Sequence, residues 1–247
     1  MLMAIIAATT PHADVVVVGS GNCGPGYSQP ELLDASVGMR VLAMQAHIPA
    51  DGTEPLAKAA AWLAHELDLA RTDGRRFDLV AAGWGGALAF QLAADRPDLV
   101  RRLALVAPSC AGRSVLGRPA VPLAELLRAR WARDERSQER VSLALGAAAA
   151  AYLAAAPADL APAEQRRILA AIEAAERSLP LILRKVVAPT LLLWGQEDRV
   201  EPLDRGMFLH RRLPASSLRV FAGAGHLLAD ERPTEIRGII AQFLALG

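Results

Sequence analysis

Short, continuous apolar runs alternate along this chain with longer stretches whose apolar residues recur every three or four positions. DVVVVGSG (14–21) is a β-branched run closed by glycine, the pattern of a strand buried on both faces of a parallel sheet. MRVLAMQA (39–46), FDLVAAG (77–83), VRRLALVAP (100–108), APTLLLWG (188–195) and LRVFAGAG (218–225) repeat it, and the opening MLMAII reads as one more buried strand. EPLAKAAAWLAHELDLA (54–70) places Leu56, Ala60, Leu63 and Leu67 on one helical face. WGGALAFQLAADRP (84–97) continues as a helix directly out of a strand, and helices near 203–213 and 233–246 flank the last strand. Strands alternating with helices predict an α/β fold with a mainly parallel sheet and right-handed crossovers.

The segment 112–185 breaks the alternation. ERSQERVSLALGAAAAAYLAAA and PAEQRRILAAIEAAERSLPLIL are helical patterns separated by the proline-bounded turn PADLAP, with no strand signal between them. A helical insertion between two strands of one sheet cannot lie within that sheet. The expectation is a core of residues 1–111 and 186–247 with residues 112–185 inserted as a helical cap, folded over the strand ends where such sheets bind ligands.

Composition narrows the function classes. Of 247 residues 53% are apolar, which excludes a disordered chain, and 27 basic against 26 acidic residues give a net charge of +1, without the footprint of a nucleic-acid binder. Lys58 and Lys185 are the only lysines; with the alanine runs, the arginine bias reads as a GC-rich bacterial genome. Cys23 and Cys110 cannot form a disulfide framework or a four-ligand zinc site by themselves, and no His/Asp/Glu cluster has metal-ligand spacing. The first residues lack the basic stretch of a secretory signal, and no apolar run reaches the ~20 residues of a membrane span. The expectation is a cytoplasmic protein without cofactor, nucleic-acid partner or membrane association, its oligomeric state left open.

LVAAGWGGALAFQLAADRPDLVRRLALVAP resembles the nucleophile-elbow region of the α/β-hydrolase fold, and residues 188–226 resemble the segments carrying that family's acid and histidine. The likeness runs from about residue 14 to the C-terminus and is weakest in the cap. It implies Asp198 as the acid and His226 as the histidine, in the chain order this fold uses. At the elbow the family reads G-x-S-x-G, whereas this chain has Ala81-Ala82-Gly83-Trp84-Gly85. Gly83 leaves the nucleophile position without a side chain, so no acyl-enzyme can form there. Glycine is also the least strained occupant of a positive-φ turn, so a decayed site is one reading. By the same resemblance, backbone N–H groups of Trp84 and of Ser20 or Gly21 make an oxyanion hole, which requires no elbow serine.

Other residues compete for roles. GSGNCGPG (19–26) contains G-x-G-x-x-G, but Pro25 follows at once and no helix opens to present its N-terminus to a pyrophosphate, so a dinucleotide site does not fit. Cys23 on the oxyanion loop, His47 after a strand, and Ser109 with Cys110 after another are pocket candidates; a relocated nucleophile among them needs activation by His226, while small buried packing groups are the bland alternative. Trp84 is expected to line the pocket, Trp62 and Trp131 to pack, and His65 and His210 to be solvated.

Three functions remain open on these residues. One is a cofactor-independent enzyme in which His226 and Asp198 perform acid–base chemistry, as a lyase or cyclase, on an apolar carbonyl-containing metabolite of polyketide or other secondary metabolism. A second is a hydrolase using water or a relocated nucleophile. The third is a ligand-binding protein that has abandoned catalysis.

Overall fold

The computed structural model describes residues 4–6, 14–19, 41–45, 54–71, 73–109, 121–132, 134–154 and 160–246. Seven strands form one sheet: β1 (Ala4–Ile6), β2 (Val15–Gly19), β3 (Val41–Gln45), β4 (Phe77–Ala82), β5 (Val100–Val106), β6 (Thr190–Gly195) and β7 (Ser216–Phe221), in the order β1-β3-β2-β4-β5-β6-β7. All neighbouring pairs are parallel except β1 with β3. The opening strand therefore exists but runs antiparallel along the sheet's edge, a common termination of an otherwise parallel sheet. β2, β4 and β6 are buried along their whole length, as continuous apolar runs require when both faces are covered.

Helix α1 (Pro55–Ala70) begins with proline in its first turn and buries Leu56, Ala59, Ala60, Leu63, Ala64 and Leu67, leaving His65 exposed opposite. Helix α2 (Gly83–Asp95) is apolar nearly all round because it is wedged between the sheet, α1 and a later helix. Between β5 and β6 the described residues carry helices only: α3 (Leu123–Ala132), α4 (Glu135–Leu145), α5 (Ala149–Ala154) and α6 (Pro162–Ile182), with 3₁₀ turns at 146–148 and 183–185. Asp134 caps α4, its carboxylate accepting from the Ser137 N–H at 2.9 Å. Helix α6 buries Ile168, Ala171, Ile172 and Leu179 and packs on α1, α2 and α3. The chain then runs through α7 (Leu203–Arg212), α8 (Leu228–Glu231) and α9 (Pro233–Ala245), the last lying on β5 and β6.

The end of the sheet away from the strand C-termini is pinned by a buried ion pair. Asp78, at the start of β4, is fully buried and accepts from both Arg101 Nε, at 2.8 Å, and Arg101 Nη2. Arg101 also donates to the Leu244 carbonyl at the end of α9, at 2.8 Å, so one guanidinium ties two strands to the last helix and satisfies a terminal helix acceptor. Burial pushes the Asp78 carboxyl above its usual range, against the pull of Arg101.

Candidate active site

The acid–histidine pair is built by two turns sewn together at the ends of β6 and β7. Gln196 N–H donates to Phe221 O at 2.9 Å and Glu197 N–H to Ala224 O at 2.9 Å. Gly195 allows this approach: a Cβ there would stand 2.2 Å from the Gly225 carbonyl oxygen. Asp198 then leaves the β6 turn and His226 the β7 turn, and their side chains meet with Nδ1 2.9 Å from Asp198 Oδ2. Asp198 is 5% and His226 2% exposed, so the contact is shielded from water. The other oxygen, Oδ1, accepts from the Val200 and Glu201 N–H groups, each at 2.8 Å. An acid gripped by two backbone donors cannot rotate away from the imidazole. A carboxylate accepts at Nδ1, so that nitrogen carries the proton and Nε2 is left as the basic atom.

Burial alone would lower the His226 pKa. The carboxylate of Asp198, through charge and hydrogen bond, and those of Glu201 and Glu231 outweigh it and hold the imidazole above its ordinary value. Glu231 sits on α8, with Oε2 accepting from the Gly225 N–H at 2.8 Å, directly before the histidine.

The elbow side presents a different picture. Gly83 follows β4 directly and begins α2 with φ at +52°, in the left-handed region where side-chain-bearing residues are strained. Its carbonyl accepts from the Ser109 N–H at 2.8 Å, which fixes the exit of β5 beside the elbow. Trp84 is the second residue of α2, so its N–H belongs to the first helical turn, whose amides have no acceptor four residues back within the helix. The Trp84 side chain is 1% and Ser109 5% exposed, and neither Trp84 Nε1 nor Ser109 Oγ has a hydrogen-bond partner among the described residues. Because β4 to β7 are parallel neighbours, Gly83, Ser109, Asp198 and His226 all follow strand C-termini and lie along one edge of the sheet.

Ser20, Gly21, Cys23, His47 and Cys110 lie outside the described residues. His65 and His210 are exposed, His210 facing the Ser216 hydroxyl at 2.9 Å. A cavity of about 490 Å³ lies between α1, Gln91 of α2 and the C-terminal half of α6; Asp198 and His226 are not among its lining residues. Among the described residues no group of three His, Cys, Asp or Glu side chains could hold a metal ion, and no helix is long and apolar enough to cross a membrane.

A model of the alpha/beta hydrolase family matches residues 10–238 of this sequence. The chain belongs to the alpha/beta hydrolase family. This alpha/beta hydrolase is 31% identical to 2-hydroxy-6-oxo-2,4-heptadienoate hydrolase of Pseudomonas putida strain F1 over 199 residues, 74% of this chain and 69% of that protein. It is 45% identical to an uncharacterized hydrolase of Bacillus subtilis strain 168 over 65 residues, 26% of this chain and 24% of that protein's length. Among solved structures, 2-hydroxy-6-oxo-6-phenylhexa-2,4-dienoate hydrolase from Rhodococcus sp. strain RHA1 shares the fold with a TM-score of 0.74 at 19% identity, over 99% of this chain and 95% of that one.

These relatives correct the expectation of a lyase or cyclase. The proteins this alpha/beta hydrolase resembles are named as hydrolases, and none of those names supports polyketide or other secondary metabolism. The physical reason for the error is that an acid–histidine pair moves a proton equally well for elimination or for water attack. The residues that distinguish those outcomes are the ones that shape the substrate.

The residue-by-residue reading of this alpha/beta hydrolase also missed Glu201 and Glu231. Both sit in polar, turn-rich segments where carboxylates are usually solvated, yet Glu201 is fully buried. One signal was available: Glu201 and Arg205 are spaced i,i+4 at the opening of a helix, and they pair at 2.7 Å.

Proposed function

We propose that this protein is a hydrolase of a small carbonyl compound in which His226, oriented by Asp198, activates water without an acyl-enzyme at position 83. What carries the reading is a buried, doubly anchored Asp198–His226 pair on the same sheet edge as an elbow that offers only glycine. In the proposed step His226 Nε2 takes a proton from water while the water oxygen bonds to the carbonyl carbon. The carbonyl π electrons move to oxygen, and the Trp84 N–H, with a backbone N–H of Ser20 or Gly21, receives the oxyanion. Collapse restores the carbonyl and breaks the bond to the leaving group, which takes the proton back from His226. The acyl half leaves as a carboxylic acid.

The relatives' names supply the first substrates to try, the 2-hydroxy-6-oxo-dienoates. Residues 112–185 act in this reading as the cap that chooses the substrate over the core of residues 1–111 and 186–247.

The test is turnover of such a dienoate in ¹⁸O-labelled water, followed by treatment with a serine-directed sulfonyl fluoride. Label in the new carboxylate without covalent modification of the protein supports direct water attack. A second reading rests on the buried Ser109 hydroxyl beside Gly83: the nucleophile has moved to β5, and the probe then labels Ser109. Binding of the dienoate with no turnover leaves the ligand-binding protein as the surviving alternative.

A further inference from the structure

The turn that carries the acid contains a second carboxylate, Glu201, and its placement differs from that of a bystander. Three separate contacts fix it. Its N–H donates to Asp198 Oδ1 at 2.8 Å, its carbonyl accepts from Trp194 Nε1 at 2.7 Å, and its Oε2 accepts from Arg205 Nη1 on α7 at 2.7 Å. Its side chain is 1% exposed and that of Arg205 12%, so the charge is held inside the protein rather than on its rim. The main chain of Glu201 thus steadies one oxygen of the acid whose other oxygen orients His226. We propose that Glu201 is a positioning residue of the site, a second buried acid that holds the turn of Asp198 against α7 and acts on His226 through that turn without touching the substrate. This rests on His226 being the proton acceptor of the proposed hydrolysis.

The electrostatics agree with the geometry. The groups facing His226 are Asp198 and Glu201 from the turn before α7 and Glu231 from α8, all carboxylates. Glu201 itself is pushed up to about 7 by burial, while Arg205 and His226 draw it down and Asp198 adds to the rise. The buried carboxyl and the buried imidazole are thus both held above their ordinary values, each stabilising the other's charged form. A base that must hold a proton while an oxyanion collapses gains from a carboxylate that stabilises its charged form without touching the substrate.

The experiment follows the histidine ring signals by NMR in ligand-free protein labelled with ¹³C and ¹⁵N at histidine, from pH 5 to pH 9, the His226 signal being assigned by its loss in His226→Gln. In Glu201→Gln the backbone N–H to Asp198 remains and only the charge is removed. The expected result is a titration midpoint for His226 moved to lower pH, with a parallel shift of the acidic limb of kcat/KM and little change in KM. Because Gln leaves Arg205 without its carboxylate, the paired variant Glu201→Gln/Arg205→Met removes both charges together, and a smaller shift in the same direction is expected. A folded variant whose His226 midpoint stays at the wild-type position overturns the proposal. So does failure of both variants to fold, which would assign the pair to stability. The reading of the function fails separately: a shifted midpoint without any turnover of dienoate leaves Glu201 as proposed and removes the hydrolase, whereas turnover with an unmoved midpoint does the reverse.

Discussion

On the β6–β7 side of the sheet edge, Asp198 and His226 are buried, oriented and surrounded by charge: two backbone donors hold the acid, and Glu201 and Glu231 stand within electrostatic reach of the imidazole. On the β4–β5 side, Gly83 has a positive φ and no side chain, while the neighbouring Trp84 and Ser109 bring two buried polar atoms without partners among the described residues. One half of the candidate site is held by several side-chain and main-chain contacts, and the other offers only glycine at the elbow itself. In the proposed reaction, proton handling and nucleophile supply are therefore separate tasks of the two halves. A glycine at the turn costs nothing in backbone geometry, whereas loss of any contact around Asp198 would leave a buried charge unanswered.

The largest effect that can break this comparison is removal of the base. His226→Ala should cost about 10²–10⁴-fold in kcat/KM, the range that a positioned general base contributes. Circular dichroism of the variant should remain that of the wild type. A loss below tenfold would mean that the β6–β7 half is not where the chemistry happens.

Next in size is a pH effect confined to one half. Glu201 has its folded value raised to about 7 from 4.5, so its contribution to stability is fully present below pH 4.5 and is lost as pH rises through about 7. His226 is also raised, so its contribution is present below 6.5 and is lost as pH climbs through its folded midpoint. Urea denaturation across this range should show stability falling as pH rises, by up to about 1.4 kcal/mol per pH unit where one group titrates. Glu201→Gln should flatten the lower part of that slope. Gly83, Trp84 and Ser109 carry no group that titrates in this window, so substitutions there should leave it unchanged.

The smallest effect sharpens the other half. Gly83→Ser should destabilise the protein by about 1–3 kcal/mol, because serine does not share glycine's tolerance of φ near +52°. It should also give position 83 a hydroxyl that His226 can deprotonate, read as labelling by a sulfonyl fluoride and a burst of leaving group from an activated ester. A folded variant that never labels would show that the two halves do not address the same point in space.

Much of the site was legible because it is local. The G-W-G-G turn leading out of FDLVAA, the aspartate after LLLWG and the histidine after FAGAG each follow a strand run that periodicity alone identifies, and their chain order agrees with one fold. Glu201 was not legible, since its burial comes with contacts to Trp194 of β6 and Arg205 of α7 that form only in the folded chain. Nor was the reaction, since elimination and hydrolysis use the same pair; relatives named as hydrolases favour the second.

The sequence by itself determined the alternation of strands and helices, the helical character of the described residues between β5 and β6 and the glycine at position 83, and its resemblance to a family pointed to Asp198 and His226 as a pair. Tertiary structure decided everything that depends on burial. It placed β1 antiparallel at the edge, sealed Asp78 against Arg101 at one end of the sheet and closed three carboxylates around His226 at the other. The reason is physical: periodicity and turn chemistry act over a few residues and can be read along the chain. Desolvation and charge coupling depend on which distant segments exclude water from the same point.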